Sequence, residues 1–526
     1  MALKRKVALI NLNSKEIRSK DIPPELRGLY LGGRGVGSFF LYHFQETGFD
    51  SPDSDDLLII NAGLLTGTPA PAANQVLLSG RSPLSGFVGH TVLNGFFGPE
   101  LRFAGFDHLI IQGQSDHPIY LWIHNGEIEI REASELWGPD ILKTQHGIRQ
   151  ELGDDDIQVV AIGLAGENRV RFATAGSGLR DPLTCAGMGA IMGSKRLKAI
   201  AARGTLPIEI ASPDQAVQYL TRFIKFKRST KPDDPSEDDN KVRAAKALCG
   251  NLGENILTGS DYFALLGLDS LKTCGMISWY LALQERDFLP RSISGNSNLN
   301  VMSEAAMLNL VNDIAHRRGL GNILAEGPGK IIAQIESDRV SQALAIPALN
   351  SLFTDMRLYG NLYGQSQQSV KKMHDGKEAA AKTPGKIEMI FRQECLYSVL
   401  DTLGIGAQAV SDIRQEKETI RILEAITALN LSVEDLLAVG ERIGNIERLT
   451  NIRHGYRPED DMLHNTYLHH FSSQDPAFNK EPIPNIEALN DILSTYYEIH
   501  GWDAYGNPRQ ETLERLGLDQ KIDALF

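Results

Sequence analysis

Hydrophobic and polar positions change rhythm near residue 207. Before it, short apolar runs rich in branched side chains alternate with Gly, Asn, Asp or Pro turns. The runs are Val7–Leu12, Leu57–Ile60, Val76–Leu78, His108–Ile111, Ile119–Ile123, Ile128–Ile130 and Val159–Ile162. This is a strand pattern. Asn125-Gly126 between two runs predicts a hairpin, because a type I′ turn needs positive φ at both central residues. After Pro207 the periodicity is helical, over Ser212–Phe226, Cys274–Leu289, Ser303–His316, Ile387–Leu403, Ile413–Leu429, Ser432–Arg453 and Ile486–His500. Ser432-Val-Glu-Asp has the form of an N-cap with an acidic residue three positions on. The pattern predicts an α+β protein: a β-rich region over 1–207, then two mainly helical regions over 208–330 and 331–526. A polar tract, Lys227–Lys241, dense in charge and proline, is expected to be loop or disordered. No internal repeat is legible, although a β-rich region of this size has room for a pseudo-twofold.

Charge narrows the partners. With 66 acidic and 53 basic residues the net charge is −13, which repels phosphate backbones and anionic lipid, so neither nucleic acid nor a membrane surface is expected. No run is long and apolar enough to span a bilayer. The basic-then-apolar start, Met1 to Ile10, is too short for a signal peptide and is interrupted by Asn11, Asn13 and Lys15, so it reads as a first strand. Four cysteines, at 185, 249, 274 and 395, form no Cys-x-x-Cys and fit a reducing, cytoplasmic setting.

Several longer strings carry a resemblance. They include Leu31-Gly-Gly-Arg-Gly-Val-Gly37, Leu65-Thr-Gly-Thr-Pro-Ala-Pro71, Ser82-Pro-Leu-Ser-Gly86 and Phe97-Gly-Pro-Glu-Leu-Arg-Phe-Ala-Gly-Phe-Asp107. Ala165-Gly-Glu-Asn-Arg-Val-Arg-Phe-Ala173, Gly189–Ile200, Gly267-Leu-Asp269, Arg318–Gly327, Arg442-Ile-Gly-Asn-Ile-Glu-Arg448 and Tyr496-Tyr-Glu-Ile-His-Gly-Trp-Asp503 continue it to the end. On these strings the chain resembles the aldehyde ferredoxin oxidoreductases, a tungstopterin family. The resemblance implies a β-rich base that carries two pterin dithiolenes, with two helical domains closing over it.

The same resemblance exposes what is missing. The family's [4Fe–4S] cluster takes three cysteines from one short stretch. Here that interval holds the polar tract and a single Cys249. The fourth cysteine's place, after Asp401-Thr-Leu-Gly-Ile, is Gly406. Dispersed cysteines more often act as small buried hydrophobes, so a cluster is expected to be absent. Of the two Asp-x-x-Gly-Leu segments that accept hydrogen bonds from pterin, one keeps Asp401 and Gly404; the other has Ala264 in place of its aspartate. Gln75 stands where a phosphate-binding arginine is expected, and Asn94 reaches a magnesium position only with a shift of register.

The remaining cofactor-binding candidates are Gly33, Arg34 and Gly35. The resemblance implies that they form a backbone-amide loop facing a pterin phosphate, although no strand leads into it. No catalytic residue and no protein metal ligand are assigned. His374, Tyr359 and Tyr363 lie in or beyond the loop that should hold the family's histidine, and His464, His469 and His470 read as a solvated surface. Tyr496–Trp502 reads as a buried C-terminal anchor. The expectation is a non-standard or catalytically silent family member acting as a structural or regulatory partner, as a homo-oligomer or beside an active homologue. The alternative is an oxidoreductase with a modified tungsto- or molybdopterin site and another electron acceptor.

Overall fold

The computed structural model describes residues 5–46, 57–178, 186–229, 260–290, 293, 304–337, 339–340, 343, 383–406, 413–462 and 486–519. Its first part is a sandwich of two sheets. Strands β1 (Lys6–Asn11), β2 (Glu16–Asp21), β3 (Leu58–Ala62), β4 (Val76–Arg81), β5 (Val88–Leu93) and β6 (His108–Gln112) form one sheet, in the order β2-β1-β6-β3-β4-β5. Strands β7 (Ile119–His124), β8 (Glu127–Glu132), β9 (Gln158–Ile162), β10 (Ala175–Gly176) and β11 (Leu197–Arg203) form the other, in the order β10-β9-β11-β7-β8. The hairpin read from Asn125-Gly126 joins β7 to β8, with φ of 39° and 92° at its centre.

Alternation along each strand sorts side chains into layers. Ile60, Leu109 and Ile111 of the first sheet meet Leu121, Ile162 and Ile200 of the second in the shared core. Ile59 and Ile110 point the other way, beneath helices α1 (Pro24–Tyr30) and α2 (Gly33–Glu46). Val159, Ala161, Ala199 and Ala201 likewise face the helix Ile141–Leu152. Inner strands are therefore buried on both faces, which is why they read as near-continuous apolar runs rather than as alternation.

The later helices follow the periodic segments closely: Ser270–Glu285, Glu304–His316, Thr383–Leu403, Ile413–Thr427, Val433–Arg453 and Ile486–Ile499. Ser432 and Asp435 form a reciprocal capping box at the start of Val433–Arg453. The helix Pro213–Ser229 runs into the tract expected to be loop, whose remainder lies outside the described residues. No described helix is long and apolar enough to cross a membrane.

One clamp occurs twice. After β3, Gly63 packs on Gly404, and Ala73 bridges Ile405; after β9, Gly163 packs on Gly267, and Ala173 bridges Leu268. Gly404 and Gly267 both turn with positive φ, 75° and 74°. A Cβ on Gly63 would lie 2.2 Å from the Gly404 backbone, and one on Gly163 would lie 2.5 Å from the Leu266 carbonyl group. Each sheet thus presents one strand end to one Gly-Leu or Gly-Ile turn of the helical part, a pseudo-twofold that only the contacts reveal.

Candidate functional site

The Gly-rich segment is not a loop. Helix α1 ends at a γ-turn, in which Gly32 N–H donates to the Tyr30 carbonyl at 2.7 Å while Leu31 sits at φ 57°, ψ −64°. Helix α2 then begins at Gly33. Glycine is a poor helix former, so packing rather than propensity decides this start.

Each glycine makes room for a protein atom. A Cβ on Gly32 would lie 2.9 Å from Arg5 Nη1, one on Gly33 2.5 Å from the Asp401 carbonyl oxygen, and one on Gly35 2.3 Å from the Tyr30 carbonyl oxygen. A Cβ on Gly37 would lie 2.5 Å from Asn61 Nδ2. The Gly35 N–H donates to Thr402 Oγ1 at 3.1 Å. The amide-rich stretch therefore seats the turn that carries Asp401 and Gly404.

Arg34 is buried and paired with two carboxylates. Its Nε and Nη2 donate to the two oxygens of Glu447, at 2.8 and 2.6 Å, and its Nη1 donates to Asp401 Oδ2 at 3.3 Å. Ser38, one helical turn further along α2, donates to Glu447 Oε1 at 2.7 Å. His90 Nε2 meets the same oxygen at 2.9 Å. Burial alone would raise the Glu447 carboxyl, but the charges and hydrogen bonds of Arg34 and His90 hold it far below the carboxylate range. Sequence reasoning missed Glu447 and His90 as site residues, although Glu447 lies inside the Arg442–Arg448 string it singled out. Nothing local marks either as a partner of Arg34.

A second buried group stabilises the strand end that Gly404 meets. Arg102 donates to Asp107 Oδ1 at 3.0 Å and to the carbonyls of Leu64 and Thr66; Arg5 donates to the carbonyls of Ala62 and Gly63 and lies 3.5 Å from Asp107. With its carbonyls held, the strand end turns its Leu64 and Leu65 N–H groups to the carbonyls of Thr402 and Leu403, at 2.9 and 2.8 Å. Gln75 is buried behind this turn; its N–H donates to the Gly404 carbonyl, and its Oε1 has no partner among the described residues.

The other candidates are scattered. Asn94 is exposed just past β5, its carbonyl accepting from Ser177 at 3.5 Å. Ala264 is buried, its carbonyl accepting from the Gly267 N–H of the second turn at 3.0 Å. Cys274 and Cys395 are both buried, and burial pushes the Cys395 thiol upward. Cys185, Cys249, Tyr359, Tyr363, His374, His464, His469 and His470 lie outside the described residues. Tyr496, Tyr497 and Trp502 are buried together, as an anchor should be. Arg448 lies over the rings of Trp502 and Tyr456, 4.6 and 4.7 Å from their centroids, and donates to Asp461 at 2.8 and 3.2 Å.

Residues 7–204 match the family model described as aldehyde ferredoxin oxidoreductase, N-terminal domain, and residues 240–518 match that of its domains 2 and 3. A tungsten-containing aldehyde ferredoxin oxidoreductase of Pyrococcus abyssi is 27% identical over 628 aligned positions, covering 98% of this chain and 99% of the relative. That alignment is longer than the 526 residues of the chain, so the relative carries residues that have no counterpart here. An aliphatic sulfonate oxidoreductase, WOR-like subunit, of Pyrococcus furiosus is 24% identical, with 97% of this chain and 96% of the relative covered. Among solved structures, the active-site complex BamBC of benzoyl coenzyme A reductase, bound to 1,5-dienoyl-CoA, shares the fold. Its TM-score is 0.77 at 22% identity, over 98% of this chain and 96% of that one. With both family models matched over most of its length, this chain belongs to the aldehyde ferredoxin oxidoreductase family.

Proposed function

We propose that this protein is a non-standard member of its family, acting as a structural or regulatory partner in a redox assembly rather than as an aldehyde oxidoreductase itself. One observation carries the reading: the residues that the family resemblance assigns to a pterin are taken up by the protein's own contacts. Arg34 is held by Glu447 and Asp401, and Gly33 and Gly35 are packed against backbone carbonyls. So arranged, they do not fit a phosphate or a pterin ring. Gly404 is likewise closed by Gly63 and Thr66. The chemistry of the parent reaction adds support, since two electrons leaving an aldehyde need an exit and Gly406 stands at a cluster cysteine's place. Two relatives also work in assemblies by their names, one as a subunit and one as an active-site complex.

The test is elemental analysis of protein purified anaerobically from its own host, with tungsten, molybdenum and iron measured per chain. Near-zero values for all three support the partner reading, and co-purifying proteins then name the assembly. Stoichiometric tungsten or molybdenum overturns it. That outcome would favour the second reading, an oxidoreductase with a modified pterin site and another electron acceptor, for which the buried Oε1 of Gln75, without a partner among the described residues, speaks.

A further inference from the structure

A single chain of buried hydrogen bonds crosses the first sheet and ends on the helical part. His108 Nδ1 lies 3.0 Å from Asn61 Oδ1, Asn61 Nδ2 lies 3.0 Å from Ser79 Oγ, and Ser79 Oγ lies 2.8 Å from His90 Nδ1. His90 Nε2 lies 2.9 Å from Glu447 Oε1. The order follows the sheet, since Asn61 pairs with His108 between β3 and β6, and Ser79 pairs with His90 between β4 and β5. Gly37 makes the space in which the Asn61 side chain sits.

Only one direction satisfies every member. Glu447 accepts, so His90 donates from Nε2 and accepts at Nδ1. Ser79 must then donate its hydroxyl proton to His90 and accept from Asn61, whose amide oxygen accepts from His108 Nδ1–H. His108 Nε2, the far end, is then an acceptor with no partner among the described residues. Bonds aligned head to tail polarise one another, and their positive ends all point at Glu447.

We propose that this chain is an acid-sensitive latch: with both histidines neutral it closes the β-rich part onto the helix Val433–Arg453, and a proton on either ring opens it. A proton on His108 would be repelled by Arg5 and Arg102 and attracted by Asp107, with the Phe40 ring set steeply against the imidazole. A proton on His90 Nδ1 would turn the Ser79 hydroxyl away, in a pocket that already holds Arg34 beside Glu447 and Asp401. Burial accordingly pushes both rings down, His108 to about 3. For a histidine depressed in the folded state, stability is complete above the unfolded value near 6.5 and is lost as pH falls below it.

The test is amide hydrogen exchange of the full chain at pH 7.5, 6.5 and 5.5, corrected for intrinsic rates. The reporters are amides bonded across the junction: Gly35, Leu64 and Leu65 to residues 402–403, and Val88 to Asn451. Below 6.5 their protection should fall by up to about tenfold per pH unit for each neutral histidine. The double variant His90→Gln, His108→Gln should retain only what the other shifted groups give: a fall from His454, which burial, Arg81 and Arg453 also depress, set against a gain from Asp461 and Glu394, whose carboxyls burial raises. Equal falls in the two proteins, or none in the wild type, would overturn the latch. Ring-nitrogen NMR of histidine-labelled wild type provides a reading that needs no variant. A proton on Nε2 of His90 and on Nδ1 of His108 at pH 7 supports the assignment, and any other state refutes it.

Discussion

Replacing Arg34 by Met keeps much of the side chain's volume and removes its charge. Three hydrogen bonds to two buried carboxylates are lost, and among the described residues Glu447 keeps Ser38 and His90. Breaking one partner out of a buried ion pair costs about 3–5 kcal/mol, because the remaining charge is left uncompensated. Over a cooperative unit of a few hundred residues this lowers Tm by about 6–20 °C. Glu447→Met should cost about as much, and Arg34→Met with Glu447→Met should cost less than the two single losses together. The difference, about 1.5–3 kcal/mol, is the coupling of a charge-assisted pair. The assay is scanning calorimetry of all four proteins at pH 7.5. If Arg34→Met lowers Tm by less than about 3 °C, corresponding to about 1 kcal/mol, the buried pairing is not what holds Arg34. The side chain would then be available to a ligand, and the proposed function would lose its main support.

Glycine substitutions separate packing from propensity. Gly28→Ala, in α1 with nothing within 4 Å of the new Cβ, should stabilise by about 0.5–1 kcal/mol in thermal melts. Gly37→Ala collides with Asn61 and should cost about 1–3 kcal/mol, read in the same melts. Ser432→Ala removes the capping box and should lower stability by about 1 kcal/mol, with faster amide exchange confined to the first turn of Val433–Arg453. Arg448→Lys keeps the charge but loses the planar fork between two rings and the paired contact with Asp461; it should cost at least about 1.5 kcal/mol and quench or shift Trp502 fluorescence.

By itself the sequence determined what depends on neighbours along the chain. Period-two and helical apolar patterns placed most strands and the longer helices after residue 207, Asn125-Gly126 fixed a hairpin, and Ser432 with Asp435 fixed a helix start, because each rests on local dihedral preference or local hydrogen bonding; the helices among the strands, such as Gly33–Glu46 and Ile141–Leu152, went unread. Strands β2, β5, β10 and β11 escaped: Glu16–Asp21 is polar and exposed, Gly89 and His90 interrupt Val88–Leu93, Ala175-Gly176 is two residues long, and Leu197–Arg203 has buried Lys198 amid its alanines. Tertiary structure alone decided the site. Arg34 and Glu447 are 413 positions apart, and no pattern within a segment says that they meet. The Gly32–Gly37 stretch reads as a loop by propensity, yet it becomes a helix start, since Arg5, Tyr30, Asp401 and Asn61 fill the places where side chains would stand. A glycine in a sequence says only that a Cβ is absent; which atom uses the space is settled when distant parts of the chain pack together.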